Sequence, residues 1–226
     1  MQTPTSTDDP TACCPPTPDP RIARRFDRVA GEWLDADDFP DMVDVSAGLL
    51  DLLRDATLER PSVLELGSGT GALSVALLEM GASRTTGVDL SASSVEVARR
   101  RARTAGFETQ ATFEVGNAAD AAADPHDWVI LDRVICCFDD ADRLARRATA
   151  LATRRIAITL PESRGWRGPV NHVVWRAENL WDLLQGGCRG YVHDVRRIER
   201  RLREGGFERA RSRHVGLWYI GVYDRA

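Results

Sequence analysis

With 226 residues, 43% hydrophobic and 28% charged, the chain is sized for one α/β domain with a substantial core and is too short for two independent ones. A net charge of -4 argues against a nucleic-acid partner, because phosphate affinity needs clustered positive charge, and no apolar run approaches the ~18 residues of a membrane span. All 30 basic residues are arginine, which excludes a lysine Schiff base and a phosphate-loop lysine.

Residues 1–20 are polar, carry six prolines and contain no apolar h-region, so they read as a disordered tail rather than a secretory signal. Five cysteines (Cys13, Cys14, Cys136, Cys137 and Cys188) are too few for a disulfide framework in a chain of this size. Their odd number, with no export signal, predicts reduced thiols and a cytoplasmic protein. From Ile22 to Trp33 the apolar positions Ile22, Phe26, Val29 and Trp33 predict one helix face, and a second helix is expected over about Met42–Asp55. These form an N-terminal helical cover over residues 21–60.

Ser62–Leu66 then predicts a first strand, followed by a glycine loop and a helix over about Ala72–Met80. Thr85–Asp89 is the second strand, and Ser91 is placed to cap a helix reaching about Thr104 and closed by Gly106. Ala111–Val115 is the third strand, and the apolar run Trp128–Leu131 fits a buried central fourth. A helix near Ala141–Ala152 leads to a fifth strand at Arg155–Thr159. Pro161–Gly190 breaks the rhythm and reads as a cap inserted beyond the strand ends, over residues 161–191. A helix near Val192–Glu204 and a hairpin of Glu208–His214 and Leu217–Tyr223, turning at Gly216, complete the chain. Strands alternating with helices in this way predict an α/β fold with a mostly parallel sheet.

Chemistry concentrates at the strand ends. Glu65 is followed by Gly67-x-Gly69-x-Gly71, with Ser68 inside the loop. Glycines at a strand–helix junction let a ligand approach the backbone, whose N–H groups would face it. Dinucleotide sites use G-x-G-x-x-G around a pyrophosphate. Here the spacing differs, and a carboxylate two residues before the loop suits a cation and would repel pyrophosphate. Asp89, followed by Leu90, ends the second strand where a carboxylate can accept ribose hydroxyls. Asn117 and Ala118 follow the third strand, where an adenine ring would lie and the Asn117 carbonyl oxygen could accept from its amino group. Gly loop, acid and amide at three successive strand ends point to S-adenosylmethionine as cofactor.

These residues resemble the class I S-adenosylmethionine-dependent methyltransferases over about Arg21–Asp224. Within them the chain is most similar to the magnesium-protoporphyrin O-methyltransferase branch, through Arg24-Arg25-Phe26-Asp27, the segment Ile130–Phe138 and the tail Gly206–Tyr223. The resemblance implies a seven-stranded Rossmann-like sheet, mostly parallel with an antiparallel last strand and helices on both faces. That branch has a tyrosine before the Phe-Asp pair and a histidine four residues after the strand-four aspartate, both implicated in catalysis. The aligned positions here are Arg25 and Cys136, so the likeness implies the donor and points to a different acceptor.

The methyl group is expected near the end of strand four, beside Asp132, Arg133, Cys136 and Cys137. Asp132 could orient the acceptor, take its proton, order the loop or touch the cofactor; His172 and His193 are further candidate bases. Cys136 and Cys137 could bind a soft metal or metalloid acceptor, with Cys13 and Cys14 folded over them, or simply pack as small apolar groups; their spacing matches no zinc pattern. Trp166, Trp175, Trp181 and Tyr191, with Arg164, Arg167, Arg176 and Arg189, suit a flat acceptor bearing a carboxylate or phenolate. The expected reaction is methylation of a small molecule at oxygen. Sulfur or metalloid methylation, and cofactor binding without catalysis, remain alternatives.

Overall fold

A parallel strand covered on both sides must be apolar at odd and even positions alike, and the central strands of this chain meet that condition. The computed structural model describes residues 20–54, 60–184 and 188–226, so Cys13 and Cys14 lie outside the described residues. Strand β1 (Ser62–Leu66) sends Leu64 and Leu66 into one core and Val63 into the other. Strand β4 (His126–Leu131) divides Val129 and Leu131 from Trp128 and Ile130, and β5 (Ala152–Pro161) divides Ile156 and Ile158 from Ala157. With β2 (Arg84–Asp89), β3 (Ala111–Val115), β6 (Phe207–Val215) and β7 (Trp218–Arg225) they form a seven-stranded sheet in the order β3-β2-β1-β4-β5-β7-β6. The first five strands pair parallel, and β7 runs antiparallel to both β5 and β6. This is the Rossmann-like sheet implied by the sequence motifs.

Helices α5 (Ala141–Leu151) and α7 (Val195–Glu204) cover one face through Leu144, Ile198 and Leu202. Helices α2 (Asp44–Arg54) and α3 (Ala72–Glu79) cover the other through Leu49, Leu53 and Leu77. Helix α4 (Ala92–Thr104) packs Val95 and Ala98 on Phe113 near the β3 edge, and α1 (Pro20–Gly31) lies against α4. Ser91 caps α4 as expected, its hydroxyl accepting from the Ser94 N–H at 3.0 Å. Among the described residues no helix is long and apolar enough to cross a membrane.

Three boundaries depart from the sequence expectations. Strand β5 runs from Ala152, at the end of α5, to Pro161, longer than the apolar run alone suggested. Helix α7 begins only at Val195, where the Asp194 side chain accepts from the Arg196 N–H. The largest difference is the segment read as an irregular insertion, which contains an eighteen-residue helix, α6 (Arg167–Leu184). Gly168 and Pro169 look like breakers, yet proline is tolerated in a first helical turn, where its missing N–H has no partner to lose. Several apolar residues on or beside α6 face outward: Trp166, just before it, and Val173, Leu180 and Trp181 are all more than 60% exposed, whereas Trp175 is half-buried.

One polar cluster fixes the far end of the sheet. Glu162 is 3% exposed and accepts from Nε and Nη2 of Arg164, both at 2.9 Å, and pairs with Nε2 of His214 at 2.6 Å. Burial alone would raise its pKa; the Arg164 and His214 hydrogen bonds overcome this and hold it at about 2. Because the folded pKa lies below the unfolded value of 4.5, the cluster stabilises the fold fully above pH 4.5 and progressively less as pH falls to 2. Glu162→Gln is expected to cost about 3 kcal/mol at pH 7 by leaving Arg164 with only Glu199, lowering the melting temperature by roughly 6–12 °C. Thermal unfolding followed by circular dichroism should show the two proteins converging as pH approaches 2; a gap independent of pH would refute this account.

Candidate functional site

The carboxyl ends of the parallel strands open on one side of the sheet, where a cavity of about 670 Å³ lies between the glycine loop, α1 and α6. That volume is ample for a nucleoside-sized ligand with a second molecule beside it. Glu65, Gly67, Ser68, Gly69, Asp89, Leu90, Ala118 and Asp132 all line it, so most of the residues singled out in the sequence meet at one place.

The loop that forms the floor differs in one respect from an anion cradle. Gly67 has φ +84, and a Cβ there would lie 2.5 Å from a methyl of Val134, so only glycine fits. Its N–H donates to Val88 O at 2.7 Å, that of Ser68 to the same carbonyl at 3.2 Å, and that of Gly71 to Ser68 O at 3.0 Å. The Gly69 N–H donates to Asp89 at 2.8 Å. These four N–H groups are satisfied within the protein, which corrects the expectation that they face the ligand. Gly71 does not line the cavity at all; a Cβ there would press on Ala98 at 2.9 Å, so this glycine serves the contact between α3 and α4.

Acids dominate this end of the cavity. Glu65 is 3% exposed, and the Ser74 hydroxyl donates to it at 2.5 Å. Burial raises its pKa to about 8 against the opposing Ser74 hydrogen bond, and the charges of Asp132 and Asp89 raise it further. Asp89 accepts from the N–H groups of Ser91 at 2.9 Å and Gly69, and burial still raises its pKa. Neither Glu65 nor Asp89 is ion-paired among the described residues. The hydroxyl of Ser68 is buried with no partner. Two acids without ion-pair partners, an orphaned hydroxyl and a loop whose Gly67, Ser68, Gly69 and Gly71 N–H groups are bonded within the protein fit an amine-bearing, cationic ligand with hydroxyls better than a pyrophosphate.

Asp132 sits where β4 ends and is held from both sides. The Thr159 hydroxyl on β5 donates to it at 2.6 Å, and the Ser46 hydroxyl on α2 donates to its other oxygen. Burial raises its pKa against those two hydrogen bonds and the nearby Arg133 charge. Neither serine nor threonine was evident from sequence, because their spacing to Asp132 follows only from the strand order. The Arg24-Arg25-Phe26-Asp27 motif finds its explanation here as well. Asp27 accepts from the Ser91 hydroxyl at 2.7 Å and the Ser93 N–H at 3.1 Å, tying α1 to the start of α4, while Arg25 forms an ion pair with Asp182 of α6.

Other candidates lie elsewhere. Asn117 stands outside the cavity lining, and its carbonyl oxygen already accepts from Ala119 N–H at 3.1 Å in a short helical turn. His172 is exposed on α6 and does not line the cavity; the buried neighbour Asn171 does. His193 is bound to Phe138 O at 2.7 Å, and burial lowers its pKa. Trp166 and Trp181 face solvent, and Arg164 is taken by Glu162, leaving Trp175, Trp218 and Arg189 on the cavity wall. Cys136, Cys137 and Cys188 line it too. The Cys136 thiol donates to Arg133 O at 3.3 Å and, through contact with Cys137 and burial, has its pKa raised. Among the described residues no three His, Cys, Asp or Glu side chains are grouped to hold a metal ion.

Comparison with known proteins agrees with this geometry. Residues 59–180 match the family model described as a methyltransferase domain. A release factor glutamine methyltransferase of Rhodospirillum rubrum is 39% identical over 69 residues, which span 30% of this chain and only 21% of that protein. Among solved structures, magnesium protoporphyrin IX methyltransferase from Synechocystis PCC 6803 with bound SAH superposes with a TM-score of 0.71 at 21% identity, covering 90% of this chain and 98% of that one. An O-methyltransferase family protein from Burkholderia thailandensis gives 0.70 at 20% identity, covering 89% and 62%. A sheet with this strand order, a glycine loop backed by unpaired acids and a family match over more than half its length agree, and the chain belongs to the methyltransferase domain family, whose methyl donor is S-adenosylmethionine.

Proposed function

We propose that this protein transfers a methyl group from S-adenosylmethionine to an oxygen of a small, planar acceptor. The observation that carries the reading is the pair of acids at the strand ends, buried Glu65 and half-buried Asp89, neither ion-paired among the described residues and both lining a cavity with room for a second molecule. In this reading Glu65 faces the amino-acid end of the donor, Asp89 accepts its ribose hydroxyls, and Leu90 and Ala118 flank the adenine. Gly67, Ser68 and Gly69 shape the floor, while Asn117 and Gly71 hold the walls. When bound, the donor supplies an electrophilic methyl on a positively charged sulfur. Displacement there depends chiefly on alignment, so the protein must orient the acceptor and exclude water. Trp175 and Trp218 form an angled aromatic wall for that purpose, their rings meeting edge to face at 6.3 Å with the planes 66° apart. Asp132, held by Ser46 and Thr159, orients the acceptor hydroxyl and takes its proton. The likeness to the O-methyltransferase family protein supports oxygen as the methylated atom.

A second reading, methylation of a thiol or metalloid, is favoured by the three cysteines on the cavity wall. Turnover of an aromatic hydroxyl by the Cys136→Ser, Cys137→Ser double variant at the wild-type rate would reject it.

Screening planar phenols and carboxylic acids with labelled donor tests the main reading, with label expected on an acceptor oxygen. Asp132→Asn is expected to lower kcat by about 10²–10⁴. Adenosylhomocysteine affinity should change little, and unaltered kcat would remove Asp132 from the chemistry. Glu65 gives a separate test through pH. A charged ligand amine favours the ionised carboxylate, so affinity for adenosylhomocysteine should climb with pH toward 8 and level off above it. Glu65→Gln should flatten that dependence and weaken binding. For the free protein the sign reverses. The folded pKa of about 8 exceeds the unfolded 4.5, so stability falls as pH rises between them. The Gln variant should therefore melt higher at pH 8, by roughly 2–4 kcal/mol of stability. Calorimetric titration and thermal melts at pH 5, 7 and 8 distinguish these outcomes.

A further inference from the structure

The wall facing the donor pocket carries charge that the methyl-transfer chemistry does not use. Three arginines line the cavity: Arg25, Arg133 and Arg189. Arg25 is neutralised by Asp182. Arg133 and Arg189 have no carboxylate partner among the described residues; each guanidinium lies over an aromatic ring, Arg133 5.8 Å from the centroid of Trp218 and Arg189 5.4 Å from that of Tyr191. Stacking of this kind orients a guanidinium and leaves its in-plane N–H donors open.

Arg133 is also held in a costly backbone conformation, with φ +56 at the end of β4. A long side chain rarely adopts the left-handed region, and such a residue persists only where its surroundings fix it. Here they do: its N–H donates to the buried Thr159 hydroxyl at 2.7 Å, and its carbonyl accepts from the Cys136 thiol. The segment bearing Arg189 is fastened to the same place, through the Tyr191 N–H donating to Cys136 O at 2.8 Å. The backbone of Arg133 and the segment bearing Arg189 are thus both tied to Cys136, and both arginines line the cavity together with Trp175 and Trp218.

We infer that Arg133, assisted by Arg189, anchors a carboxylate carried by the planar acceptor, at a point separate from the oxygen that is methylated. The acceptor class is then an aromatic hydroxycarboxylate, its ring against Trp175 and Trp218, its carboxylate on the guanidinium pair and its hydroxyl toward Asp132. This assignment rests on the methyl-transfer reading of the cavity. It uses the left-handed Arg133 as a means of turning a guanidinium into the cavity from a strand end, a direction that an extended residue there would not give.

The test is calorimetric titration of the protein saturated with adenosylhomocysteine, using mono-, bi- and tricyclic aromatic carboxylates and their primary amides. At least one ring size should bind as the acid about tenfold or more tightly than as the amide. Arg133→Asn, which tolerates the left-handed backbone, should remove most of that preference while leaving amide binding and adenosylhomocysteine affinity unchanged. Arg189→Gln should remove a smaller part, and the double variant the whole. Equal binding of acids and amides by the wild type, or a preference that survives in the double variant, would overturn the inference and leave the methyl-transfer reading standing. No binding of adenosylhomocysteine at all would overturn both.

Discussion

Desolvation of the strand-end acids is the constraint around which the rest of this molecule is arranged. Val63, Leu64 and Leu66 make β1 largely apolar because both of its faces are covered, so Glu65 near its end enters a region with little water and Ser74 as its hydrogen-bond donor. Asp89 and Asp132 approach the same space from β2 and β4, each held by donors that fix its position without neutralising it. In the free protein this arrangement is unfavourable, which is why burial raises all three pKa values. It becomes favourable when a cation enters. If these acids hold the donor as proposed, part of its affinity is stored as an unfavourable burial of charge in the free protein.

The same constraint accounts for the glycine loop. With Gly67, Ser68, Gly69 and Gly71 all donating inward, most of the loop's donors are withdrawn from an anion, and its surface suits a neutral or cationic group lying over it. Fold and loop geometry together distinguish this cavity from the dinucleotide sites that share its strand-loop-helix origin.

That Glu65, the glycine loop and Asp89 meet at one cavity could be read from sequence because each feature is local. Glu65, the glycine loop and Asp89 each lie at the end of a strand that announces itself by apolar residues and a following turn, and strand order then brings them together. The acceptor half could not be read in the same way. Arg25 meets Asp182 across 157 positions, and Ser46 meets Asp132 across 86. His172 and Asn171 are neighbours in sequence, yet only the phase of α6 decides that one faces solvent and the other the cavity. That phase was hidden because the apolar stripe of α6 points outward, the reverse of what a core-facing helix shows. Asn117 lies outside the cavity lining for a different reason: its oxygen accepts from Ala119 N–H in a local helical turn that the sequence did not reveal.

Asn179 and Gly190 carry this division into the cavity wall. The Asn179 side-chain amide donates to Gly190 O at 2.9 Å and accepts from Gly190 N–H at 2.7 Å, imitating a strand pairing with a single residue. The wall bearing Cys188 and Arg189 is therefore tied to α6 by side-chain bonds and to Cys136 by the Tyr191 N–H, while Glu65, the glycine loop and Asp89 are set at the ends of the sheet itself. Changes in that wall disturb few of the contacts on which folding depends. A lineage could exchange one acceptor for another at this wall, residue by residue, without renegotiating the donor pocket or the core beneath it.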